Sequence, residues 1–325
     1  MEKTRSWKWG VNRWFVLLFI ILGYFAAQAY PPILPHVQLP AEVLAEQPLF
    51  TIPGVGPIYL TNTLVSLLIG DVLLILLALG VRRAVASGDL ILGGISGAVE
   101  WGVEALYGLA ESTAGKWART ILPWMGTIVF LVLVANWMEL IPGVDSIGFL
   151  HHAAEDGHAV ETFGGVQTIV QAAEGEHGEF ALVPFVRVVS TDLNFTVALA
   201  LISVVMTQVM GVRALGMSYF TKFFNVKTLF SKPLFGAIDF GVGLLEIVSE
   251  FSKILSFAFR LFGNIFAGSV LLFVIGTLVP VFAQTLVLML EFFVGLIQAI
   301  IFGMLTMVFM SQAVAGHEHG GEEIL

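Results

Sequence analysis

Long apolar runs separated by short polar segments dominate the pattern along this chain. Five runs are long enough to cross a bilayer as helices, which takes about 20 apolar residues for a hydrocarbon core of about 30 Å. They occupy residues 61–81, 120–141, 194–212, 236–279 and 284–313. The pattern predicts an all-α polytopic membrane protein with about five transmembrane helices. The last two runs, separated at Pro280, predict a hairpin of two long helices. Because 40 helical residues measure about 60 Å, these helices are expected to be tilted in the membrane or to run partly along its surface.

The N-terminus has the pattern of a secretory signal. Four basic residues within 1–13 precede an apolar run that ends in Ala-Gln-Ala at 27–29, which predicts cleavage after Ala29. The alternative is an uncleaved first helix, since this run is at the lower limit of a spanning length. In both cases the basic end stays in the cytoplasm, and residues 30–60 form an external, largely irregular segment.

Residues 92–118 have a different, amphipathic pattern. Glu100, Glu104 and Glu111 recur at spacings of four and seven residues, while Val99 and Val103 lie on another helical face. This periodicity predicts a helix that lies at the cytoplasmic membrane interface before the chain crosses again.

The distribution of charge predicts the orientation. Twelve of the fifteen Lys and Arg residues fall in segments that this topology places in the cytoplasm, and Arg187 alone falls outside. Such a bias follows the positive-inside rule. It predicts a membrane domain at 61–313 with an external acidic loop at 143–187, followed by a cytoplasmic His/Glu-rich tail at 314–325.

Composition excludes several function classes. The chain is 57% hydrophobic and 12% charged, has no cysteine and carries a net charge of −9. Thiolate chemistry is therefore excluded, no Gly-rich phosphate loop is present, and no basic patch predicts a nucleic-acid partner. Histidines of the external loop and the tail lack zinc-ligand spacing, so neither a metal site nor a cofactor is predicted.

A polar stripe follows one face of the segment before Pro280. Its members are separated by three or four residues, as expected for one side of a helix. They are Glu246, Ser249, Lys253, Ser256, Arg260 and Asn264. The alternative interpretation is a surface helix whose charged side chains reach the headgroups.

Arg260 argues against a surface helix. About twenty residues without a charge follow it before Pro280, so its guanidinium lies away from the helix ends. A charge at that depth costs from about 2.5 to above 10 kcal/mol unless it meets water or a counter-charge. Arginine stays protonated at physiological pH, so Arg260 can attract a carboxylate but cannot relay protons, whereas Glu246 can.

The last apolar run carries Glu291 and Gln298, seven residues apart and therefore on one helical face. A carboxylate embedded in the membrane is a candidate proton or ion group. For Gln298, hydrogen bonding between helices is an equally good interpretation. Asp71, within the first spanning run, has no partner that the sequence identifies.

The motifs around these residues closely resemble those of subunit a of F-type ATP synthases. The resemblance covers about residues 61–313. It rests on SFAFRLFGNIFAG at 256–268, LEIVSEFSK at 245–253, IQAIIFGMLT at 297–306, NWMELIP at 136–142 and STDLNFT at 190–196. It implies a non-catalytic stator subunit that holds two offset aqueous half-channels against a rotating ring of c-subunits.

The resemblance assigns Arg260 to the essential arginine that faces the ion-carrying carboxylate of the ring and prevents a direct leak between the half-channels. Asn264 and Gln298 match polar positions close to that arginine. Glu246 and Ser249 match positions of the cytoplasmic path.

For the external path, the resemblance assigns Glu291 and Ser269. Many relatives have two ionisable groups at these positions, whereas here only Glu291 can ionise. The external path is therefore expected to depend more on water or on Asp192. The signal-like N-terminus and the long loop at 143–187 are further departures.

The resemblance also implies partners and location. The partners are the c-subunit ring, the b-subunit peripheral stalk and the rest of the ATP synthase complex, with H⁺ as the translocated ion and Na⁺ as the alternative. The expected location is a bacterial plasma membrane, in contact with lipid. An independent proton-coupled secondary transporter is the alternative function, but it would use paired internal repeats, which are not evident in this sequence.

Overall fold

The structure, a computed structural model, describes most of the chain. The described residues are 9–29, 40–45, 47–54, 56–88, 92–141, 144–170, 178–223, 233–278 and 282–315. The predicted break at Pro280, the tail beyond residue 315 and part of the external N-terminal segment lie outside these ranges.

Seven α-helices account for most of the described residues. They are α1 Trp9–Ala29, α2 Asn62–Ala86, α3 Gly94–Ala114, α4 Ala118–Trp137, α5 Leu193–Leu215, α6 Pro233–Leu278 and α7 Phe282–Ala315. Five helical regions are long and apolar enough to cross a membrane, with α3 and α4 falling in one region. The predicted all-α polytopic membrane fold is confirmed.

The amphipathic segment forms α3, which is separate from the spanning helix α4. Gly115 ends α3 with φ of 52°, a left-handed conformation that glycine adopts without strain, and its N–H caps the Glu111 carbonyl. Leu106 and Ala110 are buried, whereas the three glutamates are exposed. The position of α3 at the membrane interface stays a prediction.

The two C-terminal helices are much longer than a simple span. Helix α6 has 46 residues and α7 has 34. At 1.5 Å per residue they measure about 69 Å and about 51 Å, against a hydrocarbon core of about 30 Å. Both must be tilted or extend beyond the hydrocarbon.

The segments predicted to be external contain short strands that the sequence pattern did not predict. β1 Phe50–Ile52 pairs with β2 Gly56–Ile58 in the N-terminal segment. In the loop between α4 and α5, β3 Gly148–Gly157 pairs with β6 Gly178–Pro184, and β4 Ala159–Phe163 pairs with β5 Val166–Val170. Gly164 and Gly165 both have positive φ, as a two-residue type I′ hairpin requires.

The chain divides into two compact units. One comprises residues 1–62, 139–187 and 266–294 and contains all six strands. The other comprises residues 63–138, 188–265 and 295–325. Its core is built from fully buried side chains of α4, α5, α6 and α7, including Ile121, Met125, Met210, Leu261, Met307 and Met310.

Candidate functional site

Arg260 lies on the exposed polar face of α6. Its guanidinium Nη2 donates a hydrogen bond of 3.3 Å to the Ser256 hydroxyl, one turn earlier on the same helix. Within the described ranges, Arg260 has no ion pair with a carboxylate of this chain. Asn264, one turn further, is also exposed. The charge of Arg260 is therefore available to a group outside the chain.

The faces of α6 beside the polar stripe are fixed by apolar packing. Phe257, Ala258 and Leu261 are at most 2% exposed. The Phe257 ring lies 4.8 Å from the Phe302 ring of α7, centroid to centroid, and 5.5 Å from that of Phe309. This packing determines which way α6 faces and keeps its polar stripe away from the core.

A cavity of about 240 Å³ follows the stripe between α6 and α7. Three hydroxyls and two basic groups supply its polar lining, and aromatic and aliphatic side chains complete it. The lining residues are Ser249, Ser252, Lys253, Ser256, Phe257, Arg260, Leu305 and Phe309. The predicted residues Ser249 and Arg260 thus line one cavity, which is large enough for several waters.

Glu246 belongs to a charged cluster on the first half of α6. Its Oε1 lies 3.5 Å from Nζ of Lys222, in the 3₁₀ segment Gly216–Lys222. Glu250 accepts hydrogen bonds from Lys222 and Lys253, at 3.2 and 3.0 Å. Gln208 of α5 donates to the other Glu250 oxygen at 3.0 Å. The sequence analysis missed Glu250 as the centre of this cluster.

Glu291 is a buried carboxylate on α7, only 5% exposed. It lies against Gly268 of α6 so closely that a β-carbon at position 268 would overlap both carboxylate oxygens. Glu291 makes no hydrogen bond or ion pair within the part of the chain that the structure describes. A carboxylate in such surroundings can take up and release an ion without first breaking an internal salt bridge.

A second buried carboxylate, Glu139, lies in the same compact unit as Glu291 and Gly268. It is 6% exposed, directly after α4, and accepts a short hydrogen bond from the Ser269 hydroxyl. Ser269 follows Gly268 in the chain, so one turn of α6 contacts two acids. The sequence analysis quoted Glu139 within a motif but did not identify it as a site residue. An acid at the end of an apolar span was the signal that could have found it.

Asn136 connects α4 to α7. Its Nδ2 donates to the Gly295 carbonyl at 3.1 Å, and its Oδ1 accepts from the Ser190 hydroxyl at 2.6 Å. Gly295 lies four residues after Glu291 and three before Gln298, on the same face of α7. Gln298 itself is half-buried.

Asp192 has a structural role at the start of α5. One of its carboxylate oxygens accepts from the Asn194 N–H at 2.9 Å, which caps the helix, and the other accepts from the Thr63 hydroxyl at 2.8 Å. Its function in the external path stays a prediction.

Comparison with known protein families shows which family the chain belongs to. The family model described as "ATP synthase A chain" matches residues 63–311. The chain belongs to the ATP synthase A chain family. No curated protein sequence matches it.

The match to the ATP synthase A chain family includes every residue that the sequence analysis assigned to the ion path, together with Glu139 and Asn136. Members of this family are membrane subunits of ATP synthase, so the chain is a multi-pass membrane component of that complex, which includes the c-ring. Helix α1, the segment before α2 and the last residues lie outside the match.

Three histidines, His151, His152 and His158, lie among the strands between α4 and α5. The described residues contain no group of three or more His, Cys, Asp or Glu side chains that could hold an ion. The ring of His152 instead packs on that of Phe180, at 4.7 Å.

Proposed function

We propose that the chain forms two ion half-channels against the c-ring and couples ion flow across the membrane to rotation and ATP synthesis. Arg260 separates the two paths by facing the ion-carrying carboxylate of the ring. The observation that carries this proposal is the exposure of Arg260 on α6 without a carboxylate partner among the described residues.

The role of Arg260 follows from its fixed charge. A rotor carboxylate that comes within a few ångströms of the guanidinium is stabilised in its ionised form, whereas apolar surroundings elsewhere favour the neutral, ion-loaded form. The passing carboxylate must therefore release its ion before it meets Arg260 and take up another after it. The same charge repels a free cation and blocks a direct leak.

The cytoplasmic path uses Glu246 and Ser249. Support comes from the hydroxyl and basic groups that line the cavity along α6 up to Arg260, and from the charged cluster around Glu246. Asn264 and Gln298 supply polar side chains that orient water or the rotor carboxylate near Arg260.

The external path uses Glu291 and Ser269, with Glu139 as an additional acid and Asp192 at its margin. The hydrogen bond between Ser269 and Glu139 supports this assignment. The Ser269 hydroxyl does not ionise, but the bond brings the ionisable carboxyl group of Glu139 to the same place. The expected ion is H⁺, with Na⁺ as the alternative. Each charge that crosses 100 mV contributes about 2.3 kcal/mol to rotation.

The experiment is ATP-driven ion pumping in vesicles that contain the whole complex. Arg260→Ala is expected to abolish coupled pumping, because nothing then ionises the passing carboxylate. Arg213→Ala is the matched control, since Arg213 is exposed at the end of α5, away from the polar stripe. Normal pumping by Arg260→Ala would overturn the proposal, and saturable transport by the chain without a ring would favour a secondary transporter.

A further inference from the structure

Asp71 is a carboxylate within a spanning helix that the proposed ion path does not use. It is the tenth of the 25 residues of α2, and the next charged residues are Arg82 and Arg83. At 1.5 Å per residue, Asp71 lies about 14 Å from the start of the helix and about 17 Å from Arg82. Its carboxylate is therefore within the apolar part of the span.

Helix α2 packs on α4 through a narrow face. Gly70 lies close to Met138 and Val134, since a β-carbon at this position would be 3.7 and 3.8 Å from their side chains. The Ser66 hydroxyl contacts the Met138 sulfur at 3.8 Å. One residue is about 100° of helical rotation, so Asp71 lies at the border of this packed face, where it is half-buried.

The rest of α2 is left uncovered by the described residues. Only 11% of its most apolar window is buried, against 22 to 44% in the other four spanning regions. Leu68 and Ile75, one turn on either side of Asp71, are 54% and 59% exposed. Asp71 thus lies within an apolar flank that faces either lipid or another protein.

Contact with lipid tails alone would leave the Asp71 carboxylate without a polar partner. Asp71 makes no hydrogen bond or ion pair within the described residues. An aspartate near the centre of a spanning helix is unfavourable even in insertion assays, and such residues are usually paired. A donor from outside the chain would remove this cost.

We propose that the flank of α2 formed by Leu68, Asp71 and Ile75 contacts a transmembrane helix of another subunit, which brings a basic or amide side chain to the Asp71 carboxylate. Charge complementarity selects this occupant. A second copy of the chain, held in the same membrane orientation, would bring Asp71 against Asp71, and Arg82 is too far along the helix to pair with it. The inference rests on membership of the multisubunit complex and is independent of the ion path.

Photo-cross-linking in the assembled complex tests this contact. A photoreactive amino acid replaces Ile75 on the Asp71 flank or, as the matched control, Leu76, which is also 59% exposed and points about 140° from Asp71. The expected result is a protein cross-link from position 75, mapped by mass spectrometry to a helix with a Lys, Arg, Asn or Gln within one turn. Cross-links from position 75 to lipid alone, or equal protein cross-links from both positions, would overturn the proposal.

Substitutions of Asp71 give a second measurement. Asp71→Leu is expected to weaken retention of the cross-linked subunit about tenfold in detergent, because a hydrogen bond to a charged group is lost. Asp71→Asn keeps an acceptor oxygen, so its retention of the cross-linked subunit is expected to lie between that of Asp71→Leu and that of the wild type. Unchanged retention in Asp71→Leu contradicts the inference. An Arg260→Ala complex that gives the same cross-link would show that the α2 contact forms whether or not the proposed ion path works.

Discussion

Single residues of α6 and α7 determine where the Glu291 carboxylate can lie. The side chain of Glu291 occupies the volume that a β-carbon at position 268 would need. Only glycine therefore allows this carboxylate to lie against the backbone of α6, next to Ser269. The absence of a side chain at position 268 is therefore as important for the position of Glu291 as the polar groups nearby.

Gly268→Ala is expected to displace the Glu291 carboxylate. Inserting a methyl group into a packed site costs about 1–3 kcal/mol, so the thermal midpoint of the complex falls. ATP-driven pumping is also expected to fall severalfold, since Glu291 belongs to the proposed external path and has moved. Gly241→Ala is the matched control on the same helix, because a β-carbon at position 241 has no neighbour within 4 Å. Equal pumping by the two variants would show that Glu291 does not need its present position.

At the scale of elements, hydrogen bonds between helices fix the rotation of α7. Asn136 bonds the backbone carbonyl of Gly295, and the Ser203 hydroxyl of α5 is 2.8 Å from that of Thr306. All four residues are buried. Because Gln298 lies between these two contacts on α7, they set the direction of its side chain.

Asn136→Leu is expected to loosen this arrangement. The change keeps the size of the side chain but leaves the Ser190 hydroxyl without its acceptor, at a cost of about 1–3 kcal/mol. Because the chain has no cysteine, a Gln298→Cys background reports the change as an altered rate of thiol labelling. Asn194→Leu, at an exposed asparagine, controls for the loss of an amide. If both variants leave the labelling rate unaltered, Asn136 does not position α7.

At the scale of the whole molecule, the charge bias predicts which ends of the helices meet the cytoplasm. The 3₁₀ segment after α5 is expected inside, whereas the strands between α4 and α5 are expected outside. This orientation assigns the Glu246 cluster to the cytoplasmic path and Glu291 to the external path.

Labelling of single cysteines with an impermeant maleimide tests the orientation. Cysteine replaces Ser218 in the 3₁₀ segment or Thr168 in β5, both of which are exposed. In right-side-out vesicles, position 168 is expected to react and position 218 is not, and inverted vesicles are expected to give the opposite result. The reverse pattern would exchange the two proposed paths.

Local pattern predicted much of the fold. The five spans were found because a lipid-exposed helix needs about 20 apolar residues, and this requirement is visible in any one segment. The stripe through Arg260 was visible for a similar reason, since helical spacing places these residues on one face wherever the helix lies. The strands at 148–184 were missed because their mixed Gly, acidic and β-branched composition has no clear period.

The sequence by itself determined the family, the spanning helices and the isolation of Arg260 in an apolar segment, because each depends on the order of residues along one stretch of chain. Tertiary structure decided which groups meet. Ser269 and Glu139 are 130 positions apart, and Asn136 and Gly295 are 159 apart. No local periodicity encodes such pairs, since they form only when separate helices pack and exclude water from the polar groups between them.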